Sequence, residues 1–509
     1  MLAHEHGSDR WSLDELYPFA SGVLLALSLP PFHLSFLALV ALVPLFLYLD
    51  QPVTVKRIVR AGVITAVVYF GINLNWLIVV GRFSWLIYPG YATILFIYTC
   101  NFFVFVLTVV IAKVYLSIDF LYTAPFAWVI SERLRAYGDM AFPWSTFGYS
   151  LTSFPFFLQF ADLVGVYGVS FVLVLLNVLL FHSLKDRRYA VAWLLIVAAL
   201  NAYNTFRWFR GIGTQLGSIE VAAIQPNVPQ RLKWNSAYSM QIVKNLFAMQ
   251  ATALKTAPRL VVWPETAIPY YIDERRPFHL SEMGTLPFNN SYILTGLLNV
   301  GYSADGLAHF YNAATLFDPR GEPLGSYKKI YLVPGSEEFP FRRFIGFTRT
   351  FFSIQRITYG AMESGKEATV FTLPDAKFSV LICYESVYPQ LTRAFRLRGA
   401  QFLVNITNDA WFGRSFAPYQ HAAFLVMRAI ENRMAVARSA NTGISGFVDP
   451  MGRWHQRTNL FTEAIISDRI PLTRTLSFYT RYGDLIVYIS YAAMALIVMK
   501  ALWKRWRSE

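Results

Sequence analysis

The sequence predicts a two-part fold: a polytopic α-helical membrane domain of about eight transmembrane helices, and a globular α/β domain inserted before the last of them. Three observations carry this expectation. The 509 residues are 55% hydrophobic and 17% aromatic, with a mean hydropathy of +0.39, too apolar for a chain that meets only water. Several uncharged stretches reach the roughly 20 residues with which a helix crosses the hydrocarbon layer. Between the seventh and eighth of these, about 265 residues have the composition of a globular domain large enough for one core.

The spans follow in order. No formal charge lies between Glu15 and Asp50, and the Pro30-Pro31 pair divides that stretch into a hairpin of two helices. Further spans are read at residues 61–81, 84–112, 163–184, 189–206 and 485–499, with a weaker fifth one at 114–131 that Asp119 interrupts. The first span lacks a small-residue cleavage site and the second follows at once, so it is read as a retained helix and not as a signal peptide. Lysine and arginine cluster in alternate loops: Lys56, Arg57 and Arg60 after span two, Lys113 after span four, Lys185, Arg187 and Arg188 after span six, and Lys500, Lys504, Arg505 and Arg507 after the last. Those loops are expected to be cytoplasmic, with both termini inside and the globular segment outside. Arg133 and Arg135 after span five argue the other way. Much of the net charge of +14 thus flanks spans, which argues against a nucleic-acid surface.

The expected domain limits are 1–212 for seven spans, 213–479 for the globular domain and 480–509 for the last span and a basic tail. Within the globular segment, "SIEVAAIQPNV", "RLVVWPETAI", "SYILTGLL", "FSVLICYES", "AQFLVNITND" and "GISGFVDPMGRW" are short apolar runs bounded by turn residues and read as strands. "HAAFLVMRAIENRMAVARSA" reads as helix, with Phe424, Met427, Ile430 and Met434 recurring every three or four residues. No repeat period is visible.

The chain has two cysteines. Cys100 lies in an apolar span, so Cys383 has no disulfide partner in the outer segment. A lone cysteine is most often a small core residue. Cys383, however, stands where a strand ends, the place where ligands gather in α/β sheets, and two other runs put charged groups in similar positions. "VVWPETAIP" ends a strand before Glu265, and "YKKIYLVPGSEEFP" sets Lys329 before an apolar turn and Glu337 after it. A thiolate nucleophile, a carboxylate to take its proton and an ammonium to meet an oxyanion form a coherent set. Taken singly, Glu265 also reads as a helix-cap carboxylate and Lys329 as a solvated surface charge.

"WPETAIP", "YKKIYLVPGSEEFP" and "LICYES", in this order, resemble the three signature segments of the nitrilase (carbon–nitrogen hydrolase) superfamily. The resemblance implies an αββα sandwich with a Glu-Lys-Cys triad. With eight spans around such a domain, and with "QPNVPQRLKW", "FPWSTFGYS" and "NDAWFG" elsewhere, the whole chain resembles the bacterial apolipoprotein N-acyltransferase family. One turn departs from that pattern: this chain has "LVPGSEE" where the family usually reads "LVPFGE". Distance from Pro334 pairs Glu337 with the family's second glutamate, and Glu338 competes for the place.

The resemblance implies acyl transfer in two halves, without a cofactor or metal. Cys383 would attack the sn-1 ester of a phospholipid, typically phosphatidylethanolamine, and the resulting thioester would acylate the α-amine of the S-diacylglyceryl cysteine that begins an apolipoprotein. Glu265 would be the proton acceptor, Lys329 the oxyanion stabiliser, and Glu337 a positioning group. Trp234, Trp411, Phe412 and Tyr384 are candidates for guiding lipid, and Glu385 for holding the loop through hydrogen bonds. The expected location is the bacterial inner membrane, with the catalytic domain in the periplasm. Two rival readings are a membrane-tethered amidase that uses the same triad with water, and a transporter, against which the scarcity of ionisable residues within the spans counts.

Overall fold

The structure, a computed structural model, describes residues 13–211, 215–276, 278–283, 290–303, 306–338 and 362–507. The chain divides into two compact units: Met1–Arg210 together with Tyr482–Glu509, and Gly211–Arg481. The boundary expected at residues 212 and 213 lies outside the described residues.

In the first unit each expected span holds helical structure, and among the described residues four helices are long and apolar enough to cross a membrane: Ile87–Leu116, Ala161–Ser183, Arg187–Arg210 and Leu485–Trp506. The others are shorter or broken. Leu16–Ser28 forms the first limb of the hairpin, but the second limb is a 3-10 turn, Ser35–Leu39, followed by a short helix, Val43–Leu49. Pro44 sits in the first turn of that helix, where its missing N–H leaves no backbone bond unmade. The third span is Val55–Asn73 and Trp76–Val80. The break near Asp119 is real, but the preceding helix first runs on to Leu116; Ser117 is left-handed and Asp119 accepts from the Leu121 N–H to start the next turn. Ala124–Leu134 follows. Phe70, Tyr98, Phe102, Phe105 and Trp128 pack edge to face at the centre. Buried charges there are paired, Glu132 with Arg135 at 3.6 Å and Asp162 with Arg207 at 3.0 Å, as burial requires.

The described residues of the second unit form two sheets. One has the order β13-β1-β2-β4-β5-β6, with β3 also against β4. Its strands are β1 Gln215–Gln225, β2 Leu260–Val262, β3 Tyr271–Asp273, β4 Tyr292–Tyr302, β5 Ala308–Phe317, β6 Pro323–Lys328 and β13 Ala464–Thr473. The other has the order β12-β11-β10-β9-β8-β7, built from β7 Phe371–Thr372, β8 Lys377–Ile382, β9 Phe402–Thr407, β10 Ala435–Ala440, β11 Gly446–Val448 and β12 Trp454–His455. In the second sheet β8, β9 and β10 are parallel neighbours. Both faces of such strands are covered, which is why "FSVLI" and "FLVNIT" read as continuous apolar runs instead of alternating ones.

One sequence expectation is corrected. The helical pattern of residues 421–440 continues to its end, yet the helix is Ala417–Asn432 and the last six residues are strand β10. Arg433 adopts φ 50° and stops the helix. The residues beyond it are all buried between neighbouring strands, and that environment outweighs the helical spacing of the apolar side chains.

Candidate active site

Parallel strands that run the same way deliver their last residues to one edge. Ile382 pairs with Ile406 and Thr407 with Ala440, so Cys383 after β8, Asn408 and Asp409 after β9, and Asn441 after β10 stand side by side. Glu265 follows β2 in the other sheet. Its loop passes so close to β4 that a Cβ at Gly296 would lie 2.6 Å from the Glu265 Cα and the Thr266 nitrogen, a space that only glycine leaves. Lys329 follows β6, and its N–H donates to the Asn312 carbonyl on β5 at 2.8 Å.

These elements converge. Lys329 Nζ lies 2.8 Å from both oxygens of Glu337 and 3.6 Å from Glu265 Oε1. Asn312 Nδ2 donates to Glu265 Oε1 at 2.7 Å and to Glu337 Oε1 at 3.0 Å, and the Asn408 N–H donates to Glu265 Oε2 at 2.8 Å. Glu337 also accepts from the Val333 N–H at 2.9 Å. Thus Glu337 holds Lys329; Glu338, the competitor for that place, is exposed. A pocket beside the cluster is lined by Glu265, Thr266, Asn312, Glu337, Met362 and Trp411, among others.

The electrostatics follow from burial. Lys329 is 1% exposed, and burial alone would lower its pKa, but Glu337 and then Glu265 outweigh this and hold it well above the usual lysine range, as an ammonium. The Cys383 thiol is pushed up by burial and then by the Glu265 carboxylate, more than Lys329 lowers it. The thiol therefore rests protonated. Cys383 also has a left-handed backbone, φ 51°, which a non-glycine residue adopts at a cost that its surroundings must offset.

Glu385 is buried two residues beyond the thiol. It accepts from the Tyr327 hydroxyl at 2.6 Å, from the N–H groups of Ile330 at 2.7 Å and Tyr331 at 3.2 Å, and from the Ile382 N–H at 2.8 Å. It joins the end of β8 to the turn after Lys329. Burial lifts its carboxyl to about 7 despite these donors.

Of the aromatic candidates, Trp411 lines the pocket. Trp234 packs against Leu298, Leu332 and Met362, Phe412 meets the His421 ring edge to face, and Tyr384 is buried against Tyr388. Sequence reasoning missed several groups. Asn312 bridges the two carboxylates from the middle of β5. Lys233, 2% exposed, donates to the Glu265 carbonyl at 2.9 Å, and burial lowers its pKa to about 7. Its signal was its place beside Trp234 in "QPNVPQRLKW". Asn408 and Asp409 open "NDAWFG", a segment of the family resemblance in which only Trp411 and Phe412 stood out as candidates. Among the described residues, no group of three or more His, Cys, Asp or Glu is placed to hold a metal ion.

A two-sheet α/β sandwich with this strand-end cluster defines a carbon–nitrogen hydrolase domain, and the carbon-nitrogen hydrolase family model matches residues 220–478. The helical unit narrows this, since the model of the apolipoprotein N-acyltransferase N-terminal domain matches residues 21–179. The chain belongs to the apolipoprotein N-acyltransferase family. A relative of that name from Geobacter metallireducens is 32% identical, over 97% of this chain and 96% of its own length. One from Chlorobaculum tepidum is 31% identical, over 95% and 96%. Among solved structures, an amidase from Nesterenkonia sp. is 17% identical with a TM-score of 0.38, covering 55% of this chain and 99% of its own. A nitrilase-superfamily member from Saccharomyces cerevisiae is 18% identical with a TM-score of 0.38, covering 55% and 96%.

Proposed function

We propose that this chain transfers a fatty acyl group from the sn-1 position of a phospholipid to the α-amine of the N-terminal S-diacylglyceryl cysteine of apolipoproteins, through a thioester on Cys383. Family membership supports the acceptor class. The observation that carries the mechanism is the buried Glu265–Lys329 pair, 3.6 Å apart, whose charges both act on the Cys383 thiol: burial opposes ionisation of that thiol, so it needs a base, and a carboxylate paired to an ammonium supplies one.

In the first half, Glu265 takes the Cys383 proton and the sulfur attacks the ester carbonyl. The S–C bond forms, the ester C–O bond breaks, and the lysophospholipid oxygen leaves with the proton returned from Glu265. In the second half, Glu265 takes a proton from the acceptor amine, whose nitrogen attacks the thioester. The C–N bond forms, the C–S bond breaks and the sulfur regains its proton. Negative charge on the carbonyl oxygen develops in both halves and faces the Lys329 ammonium. Phosphatidylethanolamine is the proposed donor. Lipid chains on both substrates explain why the catalytic domain is joined to apolar helices, and the basic loops support an inner-membrane enzyme with this domain in the periplasm.

The test is the intact mass of protein purified from its membrane. A mass increment of one fatty acyl group, removed by hydroxylamine and absent from Cys383→Ala, is expected; acylation that survives in Cys383→Ala would refute the assignment.

A further inference from the structure

One short helix, Gln230–Lys233, reaches the proposed base from both of its ends. At its start the Gln230 side-chain carbonyl accepts from Asn408 Nδ2 at 2.9 Å, and the Asn408 main-chain N–H is the donor to Glu265 Oε2. At its end Lys233 Nζ donates to the Glu265 main-chain carbonyl at 2.9 Å. A single turn of helix thus holds the backbone of Glu265 directly and its carboxylate through Asn408. The segment before the helix is anchored as well. The Asn227 N–H donates to the Asn441 carbonyl at 2.9 Å and the Val228 N–H to Asn441 Oδ1 at 2.9 Å, while Asn441 Nδ2 donates to the Val228 carbonyl at 2.8 Å and to Asn408 Oδ1 at 2.9 Å. Asn408 and Asn441 follow β9 and β10, so this brace stands on the sheet edge that also carries Cys383.

Lys233 is an expensive residue to place there. It is buried, and among the described residues the Glu265 carbonyl is its one hydrogen-bond partner and no carboxylate oxygen lies within ion-pair distance of it. A buried amine with a single neutral acceptor is destabilising unless something offsets it. Burial lowers its pKa, and the charges that act the other way are those of Glu265 and then Cys383, so the amine lies within the field of both. The carbonyl that it holds also accepts from the Thr266 hydroxyl at 2.8 Å, and Thr266 itself has a left-handed backbone, φ 47°, a conformation that its surroundings must hold in place. Trp234, the next residue, packs against Met362, which lines the pocket.

We infer that Lys233 is a positioning residue for Glu265: it fixes the turn that carries the base, while Gln230, at the other end of the same helix, fixes Asn408 and through it the carboxylate. This rests on the reading of Glu265 as the base for Cys383. A carboxylate takes the thiol proton only from within hydrogen-bond reach, and a turn released from its brace would let the carboxylate drift from that position.

The experiment uses the full-length protein in detergent micelles, cleared of bound acyl groups with hydroxylamine, and p-nitrophenyl butyrate as the acyl donor. The burst of p-nitrophenolate gives three quantities: a rate constant at saturating ester, a half-saturating concentration, and an amplitude that counts folded sites. In Lys233→Met, which keeps the bulk and loses the donor, the rate constant should fall about tenfold, while the half-saturating concentration stays within about twofold of the wild type, because a displaced base slows the chemistry and leaves ester binding intact. A merely structural lysine would lower the amplitude and leave the rate constant in place, which would overturn the inference. A higher half-saturating concentration at an unchanged rate constant would also overturn it, since Lys233 would then shape the pocket and not the base. Should Lys233→Met yield no folded protein, Lys233→Gln decides: its side chain is one bond shorter and uncharged, its rate constant should fall at least about threefold, and an unchanged value would count against the brace. An equal burst from Cys383→Ala would remove the nucleophile and this inference together. The ester replaces the lipid donor, so a phospholipid that fails to acylate Cys383 would count against the proposed function and leave the brace standing.

Discussion

The Asn408 main-chain N–H donates to Glu265 Oε2 across 2.8 Å, and so the two sheets of the sandwich are joined at the carboxylate proposed as the base. Asn312 Nδ2 holds the other oxygen from within the first sheet. Each donor selects an oxygen, so the site is built for a carboxylate and not for an amide. Glu265→Gln should therefore build up no acyl-enzyme from phospholipid, and should also lose roughly 1–3 kcal/mol of stability because its amide N–H₂ turns toward a buried donor. Acyl-enzyme mass and thermal unfolding measure the two effects. Normal acylation would move the base to another carboxylate, with Glu337 the next candidate.

Lys329 meets both carboxylates but holds Glu337 more closely. Lys329→Met should slow acylation and the later discharge onto a diacylglyceryl lipopeptide, each about a hundred- to a thousandfold, as loss of an oxyanion donor does elsewhere. Glu337→Gln should cost less, because Lys329 keeps its Glu265 partner. Single-turnover measurements of the two half-reactions separate these effects; if Lys329→Met leaves both rates unchanged, the lysine only balances charge.

Cys383→Ser preserves the size and the hydrogen-bonding capacity of the residue, and its fold should remain. Turnover should be abolished, since the serine hydroxyl ionises far less readily than a thiol whose own pKa is already raised. An assay with a fluorescent phospholipid donor checks this, and near-normal activity would remove Cys383 from the mechanism.

Lys233 supplies a pH dependence with a definite sign. Burial lowers its pKa from 10.5 to about 7, so between those values the unfolded chain holds a proton that the folded protein has released, and stability rises with pH through that window. The penalty of burying the ammonium is fully present below about 7. Lys233→Met removes it, so the change in Tm on substitution should be more favourable at about pH 6 than at about pH 9. Equal changes at both values would mean that the buried amine does not titrate in this range.

Glu385→Ala would leave the Ile330, Tyr331 and Ile382 N–H groups and the Tyr327 hydroxyl without their shared acceptor. The expected loss is about 3 kcal/mol or more, with activity falling because the turn after Lys329 is no longer tied to the strand that carries Cys383. Denaturant unfolding of the purified protein measures the first effect and acyl-enzyme yield the second. A stable, active Glu385→Ala would show that the turn is held by other contacts.

What was legible in the sequence came from local chemistry. Glu265 and Cys383 could be found because each ends an apolar run, and strand ends are where a parallel sheet exposes its functional groups. Lys329 and Glu337 were legible as a pair because only the seven residues of one apolar turn separate them. The apolar helices could be located because spans need only length and freedom from charge. Asn312 carried no such mark: it lies in the middle of a strand whose other residues serve the sheet.

The sequence by itself determined the residue types, the order of the elements and the division between apolar helices and an α/β domain, because hydropathy and spacing act over short distances along the chain. Only the tertiary structure decided where residues 433–440 belong, because Arg433 ends the helix and the neighbouring strands then take up β10. It likewise decided that Glu337 and not Glu338 pairs with Lys329. The charge states at the site also belong to the fold: the Lys329 ammonium and the Cys383 thiol are set by burial and by partners that come from other strands, and those distances exist only once the two sheets have packed.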